Sequence, residues 1–184
     1  MELEKKILRG AVIEGYTVLM RAEAELLLPV GKRQMEAFYL SLSEKCMTWA
    51  VEVRGEQLRA EFLSLETPEK KAKFKTRQYR FFMQTPWENP PHVAILCEST
   101  LKGEEEALHA YRRVSHVWNT EEETMLPMDQ IVGLFDKKSN LKKLRFRPDG
   151  VYPEEDTLVF YKNSRKDNDF MEVRRKFGKI GRKC

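Results

Sequence analysis

The sequence predicts an α+β fold: an antiparallel meander covered on one face by a long amphipathic helix, with a short second helix after the meander. Three observations carry this. Apolar residues alternate along residues 16–28, recur every three or four positions along 33–65, and return as short apolar runs between turn residues from 78 onward. Period two marks a half-buried strand and a period near 3.6 marks a helix with one apolar face, so the switch between them orders the elements along the chain.

The stretch "YTVLMRAEAELLL" sets Tyr16, Val18, Met20, Ala22, Ala24, Leu26 and Leu28 on one face and Thr17, Arg21, Glu23 and Glu25 on the other. Ala, Glu and Leu are good helix formers, but seven alternating apolar positions ending in "LPVG" favour a strand. Next, Met35, Phe38, Tyr39, Leu42, Cys46, Trp49, Ala50 and Val53 recur at helical spacing, and Leu58, Phe62 and Leu65 extend the stripe past Gly55. The expected core contacts of this helix are Phe38, Leu42, Trp49, Val53 and Phe62. The following "TPEKKAKFKTR" is polar enough for a linker or a frayed helical end.

"QYRFFMQTPW" and "HVAILCESTL" read as strands separated by "ENPP", because a Pro-Pro pair cannot sit inside a ladder. A third strand ends at "RRVSHVW", with Val114, His116 and Trp118 on one face. The expected strands of one antiparallel sheet are 79–85, 92–101, 113–118 and 157–162. "PMDQIVGLFDKK" reads as the short helix, "PDG" at 148–150 as a turn, and "TLVFYKN" as the last strand. The expected organisation is a single α+β domain over residues 1–170 and a basic tail over 171–184.

Charge is uneven. Of 33 Lys/Arg and 29 Asp/Glu, residues 137–184 hold 15 and 7, so the C-terminal quarter is the basic part of a chain with net charge +4. No window approaches the roughly 20 apolar residues of a membrane span, and "MELEKKILRGAVIEGYTVL" lacks the apolar core and cleavage site of a signal peptide. A cytoplasmic location is expected. Cys46, Cys97 and Cys184 are odd in number, and two sit in apolar segments, which fits buried thiols in a reducing compartment rather than a disulfide framework.

Little points to chemistry. His92, Cys97, His109 and His116 lack the close ligand pairs of a metal site. There is no G-x-S-x-G elbow, no catalytic cysteine context and no phosphate-binding glycine loop. The acidic runs Glu104–Glu106, Glu121–Glu123 and Glu154–Asp156 fall in turns, where solvated charge is the default. The expectation is therefore no catalytic, cofactor-binding or metal-binding residues and no cofactor. The candidate partner-binding residues are the cations Arg174, Arg175, Lys176 and Lys179, with Arg182 and Lys183 beyond them and Lys142, Lys143, Arg145 and Arg147 as a second cluster. With Phe170 and Phe177 interleaved, such a group can neutralise phosphates and stack bases. Its bland reading is a solubilising tail, since no nucleic-acid motif accompanies it.

Three pieces of the chain, "LLLPVGKRQMEAFY", "VWNTEEETMLPMDQIVGLFDKK" and "LRFRPDGVYPEEDTLVFYKN", resemble the C-terminal domain of the RsiV anti-sigma factor over roughly residues 16–163. The resemblance departs at "GEEEALHAYRRVSHVW", where the glycine pair usual in that family is absent. It implies a bacterial, non-catalytic receptor module that recognises a protein ligand through its folded part. The other reading, a nucleic-acid-associated protein using its basic C-terminal region, stays open on the residues alone.

Overall fold

A computed structural model describes residues 1–103, 108–135, 144–163 and 170–177, with the side chains of 108–111 and of 170 outside that description. The chain is mixed α+β. Strands β1 (Leu3–Glu14), β2 (Thr17–Pro29), β3 (Arg77–Asn89), β4 (His92–Lys102), β5 (Leu108–Asn119) and β6 (Thr124–Met125) form one sheet in that order. Strands β7 (Gly150–Glu154), β8 (Thr157–Asn163) and β9 (Phe170–Lys176) form a second sheet in that order. Between β2 and β3 lie α1 (Arg33–Thr48), a π-helical segment Trp49–Arg54, α2 (Gly55–Leu63) and the short α3 (Pro68–Ala72); α4 (Met128–Phe135) follows β6. The chain divides into two compact units, Met1–Phe82 with Ser99–Tyr111 and Met83–Glu98 with Arg112–Cys184.

In the first unit β1 and β2 make a long antiparallel hairpin closed at Gly15, whose φ of 58° suits a residue without a Cβ. A bulge leaves Leu19 between the pairs Val12–Met20 and Ile13–Val18. Beyond it the alternation read from the sequence holds: Met20, Ala22, Ala24, Leu26 and Leu28 are buried. Strand β2 then pairs with β3 in parallel, Met20 with Arg77 through Glu25 with Phe82. The expected purely antiparallel sheet is corrected here. A strand, a helix and a returning strand form a crossover, and a crossover joins parallel neighbours. Strand 157–162 is corrected too: as β8 it belongs to the second sheet, between β7 and β9.

The helical stripe differs from the expected one by about one residue. The buried positions are Met35, Tyr39, Ser43, Ala50, Gly55, Leu58 and Phe62, whereas Trp49 is 41% and Val53 47% exposed. Ser43 lies on the buried face because its hydroxyl donates to the Leu40 carbonyl (2.8 Å), which satisfies it within the helix. The step of five from Ala50 to Gly55 is the wide π turn, which rotates the stripe past Val53. Two glycines allow this packing. A Cβ on Gly10 would lie 3.0 Å from Val51, and one on Gly55 2.9 Å from Val12. Trp49 keeps an aromatic contact with β3, a tilted stack on Tyr79 at 6.0 Å.

The second unit has its own core of Ala94, Leu96, Val117, Ile131, Val132, Val151, Tyr152 and Leu158 through Tyr161. Phe135 of α4 stacks on Trp87 (5.0 Å) and on Phe177 (4.5 Å), so the residue just after β9 helps close it. Of the segment 171–184 read as a basic tail, residues 171–176 belong to β9, and 178–184 lie outside the described residues. Among the described residues, no helix is long and apolar enough to cross a membrane.

Candidate functional site

The polar chemistry of the second unit converges on Arg113. It lies in β5 with Ser115 and Val117 on the same alternating face, and it is only 8% exposed. Its guanidinium donates twice to Glu98 Oε1 of β4, from Nε at 3.1 Å and from Nη2 at 2.9 Å. Nη1 donates to Glu172 Oε2 of β9 at 2.7 Å and to the Tyr152 hydroxyl of β7 at 3.0 Å. The planar cation also sits over the rings of Tyr152 and Tyr161, at 5.7 and 5.8 Å from their centroids. Gln84 Nε2 donates to the second oxygen of Glu98 at 3.4 Å.

Burial pulls the Arg113 pKa down, but Tyr152 and the two carboxylates, Glu98 first, outweigh it and hold it above its ordinary value. Burial pushes the Tyr152 hydroxyl up to about 12 and raises Tyr161 as well, so both phenols stay protonated. One buried cation thus donates to two carboxylates and to a neutral hydroxyl oxygen, which satisfies several buried polar groups at once.

The turn and strand that read as "PDGVY…LVFYKN" support this cluster from below. Asp149 N–H donates to the Tyr161 carbonyl (2.8 Å), and Asp149 Oδ2 accepts from Asn163 N–H (2.9 Å). The Asn163 side chain then pairs with the backbone of Arg113 as a neighbouring strand would, accepting from its N–H (2.8 Å) and donating to its carbonyl (2.9 Å). Ser115 N–H donates to the Tyr161 hydroxyl (2.7 Å), and Ser115 Oγ to the Val151 carbonyl (3.1 Å). Gly150 faces Tyr161 in the ladder, and a Cβ there would lie 2.2 Å from the Tyr161 oxygen. Only glycine leaves the ring room to lie across the strand and reach Ser115.

The sequence-selected cations fall differently. Ladder partners Val159–Arg174 and Leu158–Arg175 put Arg174 and Arg175 on opposite faces of β9, with Lys176 on the Arg174 side. Arg174 is ion-paired with Glu172 and with Glu154. Arg175 lies over the ring of the buried Phe160 at 5.7 Å. Lys176 is exposed. Lys179, Arg182, Lys183, Cys184, Lys142, Lys143 and Glu104–Glu106 lie outside the described residues. Of the histidines, His116 is held near pKa 4 by burial and is therefore neutral at neutral pH. Among the described residues, no group of three or more His, Cys, Asp or Glu is arranged to hold a metal ion.

Arg113 and Glu98 were not singled out from the sequence. Their signal is the parity of "RVSHV": Arg113, Ser115 and Val117 share a face, and an arginine in phase with buried positions demands an acid nearby.

No protein-family model matches the chain, and no curated protein matches it. Among solved structures, a DUF3298-family protein from Bacteroides fragilis matches with a TM-score of 0.59 at 10% identity, over 96% of this chain and 89% of its own. The two share a fold. A second DUF3298-family structure, from Pseudomonas aeruginosa, gives a TM-score of 0.41 at 10% identity, over 71% of this chain and 56% of its own.

Proposed function

We propose that the chain is a non-catalytic binding module that recognises a protein ligand through its folded surface, as the resemblance to the RsiV receptor domain implies. The observation that carries this is the internal use of the resemblance's own residues. Asp149, Gly150, Tyr152, Tyr161 and Asn163 are all engaged in positioning Arg113, Ser115 and the backbone around them. An arginine bound to two carboxylates and a hydroxyl is a scaffold group, not a reagent waiting for substrate. The nucleic-acid reading keeps less support than the raw charge offered, because Arg174 is balanced by Glu154 and Glu172 while Arg175 faces the opposite way.

The test compares the full chain with one truncated after Phe177, which keeps β9 and its aromatic stack. A protein bound by the full chain and identified by cross-linking should form a saturable complex of fixed stoichiometry. The truncated chain should bind it with unchanged affinity in titration calorimetry. On duplex DNA the full chain should bind weakly, with affinity falling steeply as salt rises. Tight DNA binding near physiological salt that is lost in the truncated chain or in Lys176→Ala would establish the nucleic-acid reading instead.

A further inference from the structure

Among the described residues, β1 is the terminal strand of the six-stranded sheet, and no described strand pairs with its outer row of N–H and C=O groups. It is 12 residues long, and it exposes Ile7 (40%) and Ile13 (52%) on the same face. An edge of that length is ordinarily guarded by charge. Here two of its three cations are already neutralised within the hairpin, Lys5 by Glu25 at 2.7 Å and Arg9 by Glu23 at 3.1 Å. Lys6 projects on the other face, as does Glu14, whose contact with Arg59 is long at 3.9 Å.

We propose that this edge pairs with β1 of a second copy of the chain, antiparallel about a two-fold axis at Gly10. That register sets Ile7 against Ile13 of the other copy and Lys6 against its Glu14, twice over by symmetry. It also sets Leu8 against Val12 and Arg9 against Ala11, so each exposed apolar residue gains an apolar neighbour and the remaining cation gains an acid. Moving the axis to Arg9 opposes Glu4 and Glu14, and moving it to Ala11 leaves Lys6 without an acid. A one-residue slip would put each side chain opposite one from the wrong face. Gly10 suits the centre on a separate ground: its missing Cβ lets Val51 pack against the strand and leaves no side chain crowding the axis. This pairing does not rest on the identity of any ligand.

Sedimentation velocity on the full chain, across micromolar to about millimolar concentration, should show a monomer–dimer equilibrium. Lys6→Glu turns both symmetric pairs into like-charge contacts, which should raise the dimer Kd roughly tenfold or more while far-UV circular dichroism stays unchanged. The double variant Lys6→Glu with Glu14→Lys should restore association. A chain that stays monomeric throughout, a dimer indifferent to Lys6→Glu, or a double variant as weak as the single one would each overturn the proposal.

Discussion

Gly150 and Tyr161 are the sharpest residue-scale case. Methyl addition at Gly150 meets the Tyr161 oxygen at 2.2 Å, in a ladder where backbone holds both. Gly150→Ala should therefore destabilise the protein by about 1–3 kcal/mol through overpacking. Tyr161→Phe leaves the Ser115 N–H without its acceptor and should also cost about 1–3 kcal/mol. Because both changes disturb one contact, the double variant should fall short of the sum. Urea titrations of the three variants check this, and full additivity would separate the two residues. His116 supplies a pH dependence. Its pKa of about 4 in the folded state lies below the ordinary 6.5, so the unfolded chain takes up a proton first as pH falls. That stabilisation is complete above about pH 6.5 and is lost progressively toward pH 4, by up to about 3 kcal/mol in all. Unfolding free energies measured from pH 7.5 to 4 should show the slope, and His116→Gln should flatten it.

At the scale of elements, the helix between β2 and β3 shows what periodicity conveys and where it fails. The spacing marked a helical stripe over 33–65, the structure is helical from Arg33 to Leu63, and Phe62 is buried as expected. It could not reveal a π turn, because one extra residue in a turn changes no residue type, and it passed over Ser43 because a buried hydroxyl looks like a surface one. Trp49→Ala should accordingly cost only about 1 kcal/mol, far less than full aromatic burial implies, whereas Tyr39→Ala should cost about 3–5 kcal/mol. Thermal or urea unfolding of the two variants separates these values. Strand β1 escaped the sequence reading for a related reason: Ile7, Ala11 and Ile13 lie on one face and Leu8 and Val12 on the other, so no period-two pattern stands out. Strand β2 did announce itself, because its outward positions carry charges.

Across the whole molecule, alternation within strands was legible, whereas partnership between strands was legible only for the consecutive β3, β4 and β5. The α+β class followed from the order of periodicities. Assignment of 157–162 to a second sheet rests on its ladders with β7 and β9, neither of which the sequence reading had paired with it. The "PDG…LVFYKN" motif was visible as a turn and a strand, but its reason for being, a buried arginine in β5, appears only in three dimensions. That arginine links β4, β5, β7 and β9, so the integrity of the second unit depends on it. The most direct measurement is a double-mutant cycle on Arg113 and Glu98 by urea titration. Arg113→Ala alone should cost about 3–5 kcal/mol, since it leaves buried carboxylate behind. Adding Glu98→Ala should cost less than its separate effect, with a coupling of at least about 1 kcal/mol. A single-variant loss under about 1 kcal/mol with no coupling would contradict a scaffold role for the cluster and reopen it as a site for a ligand.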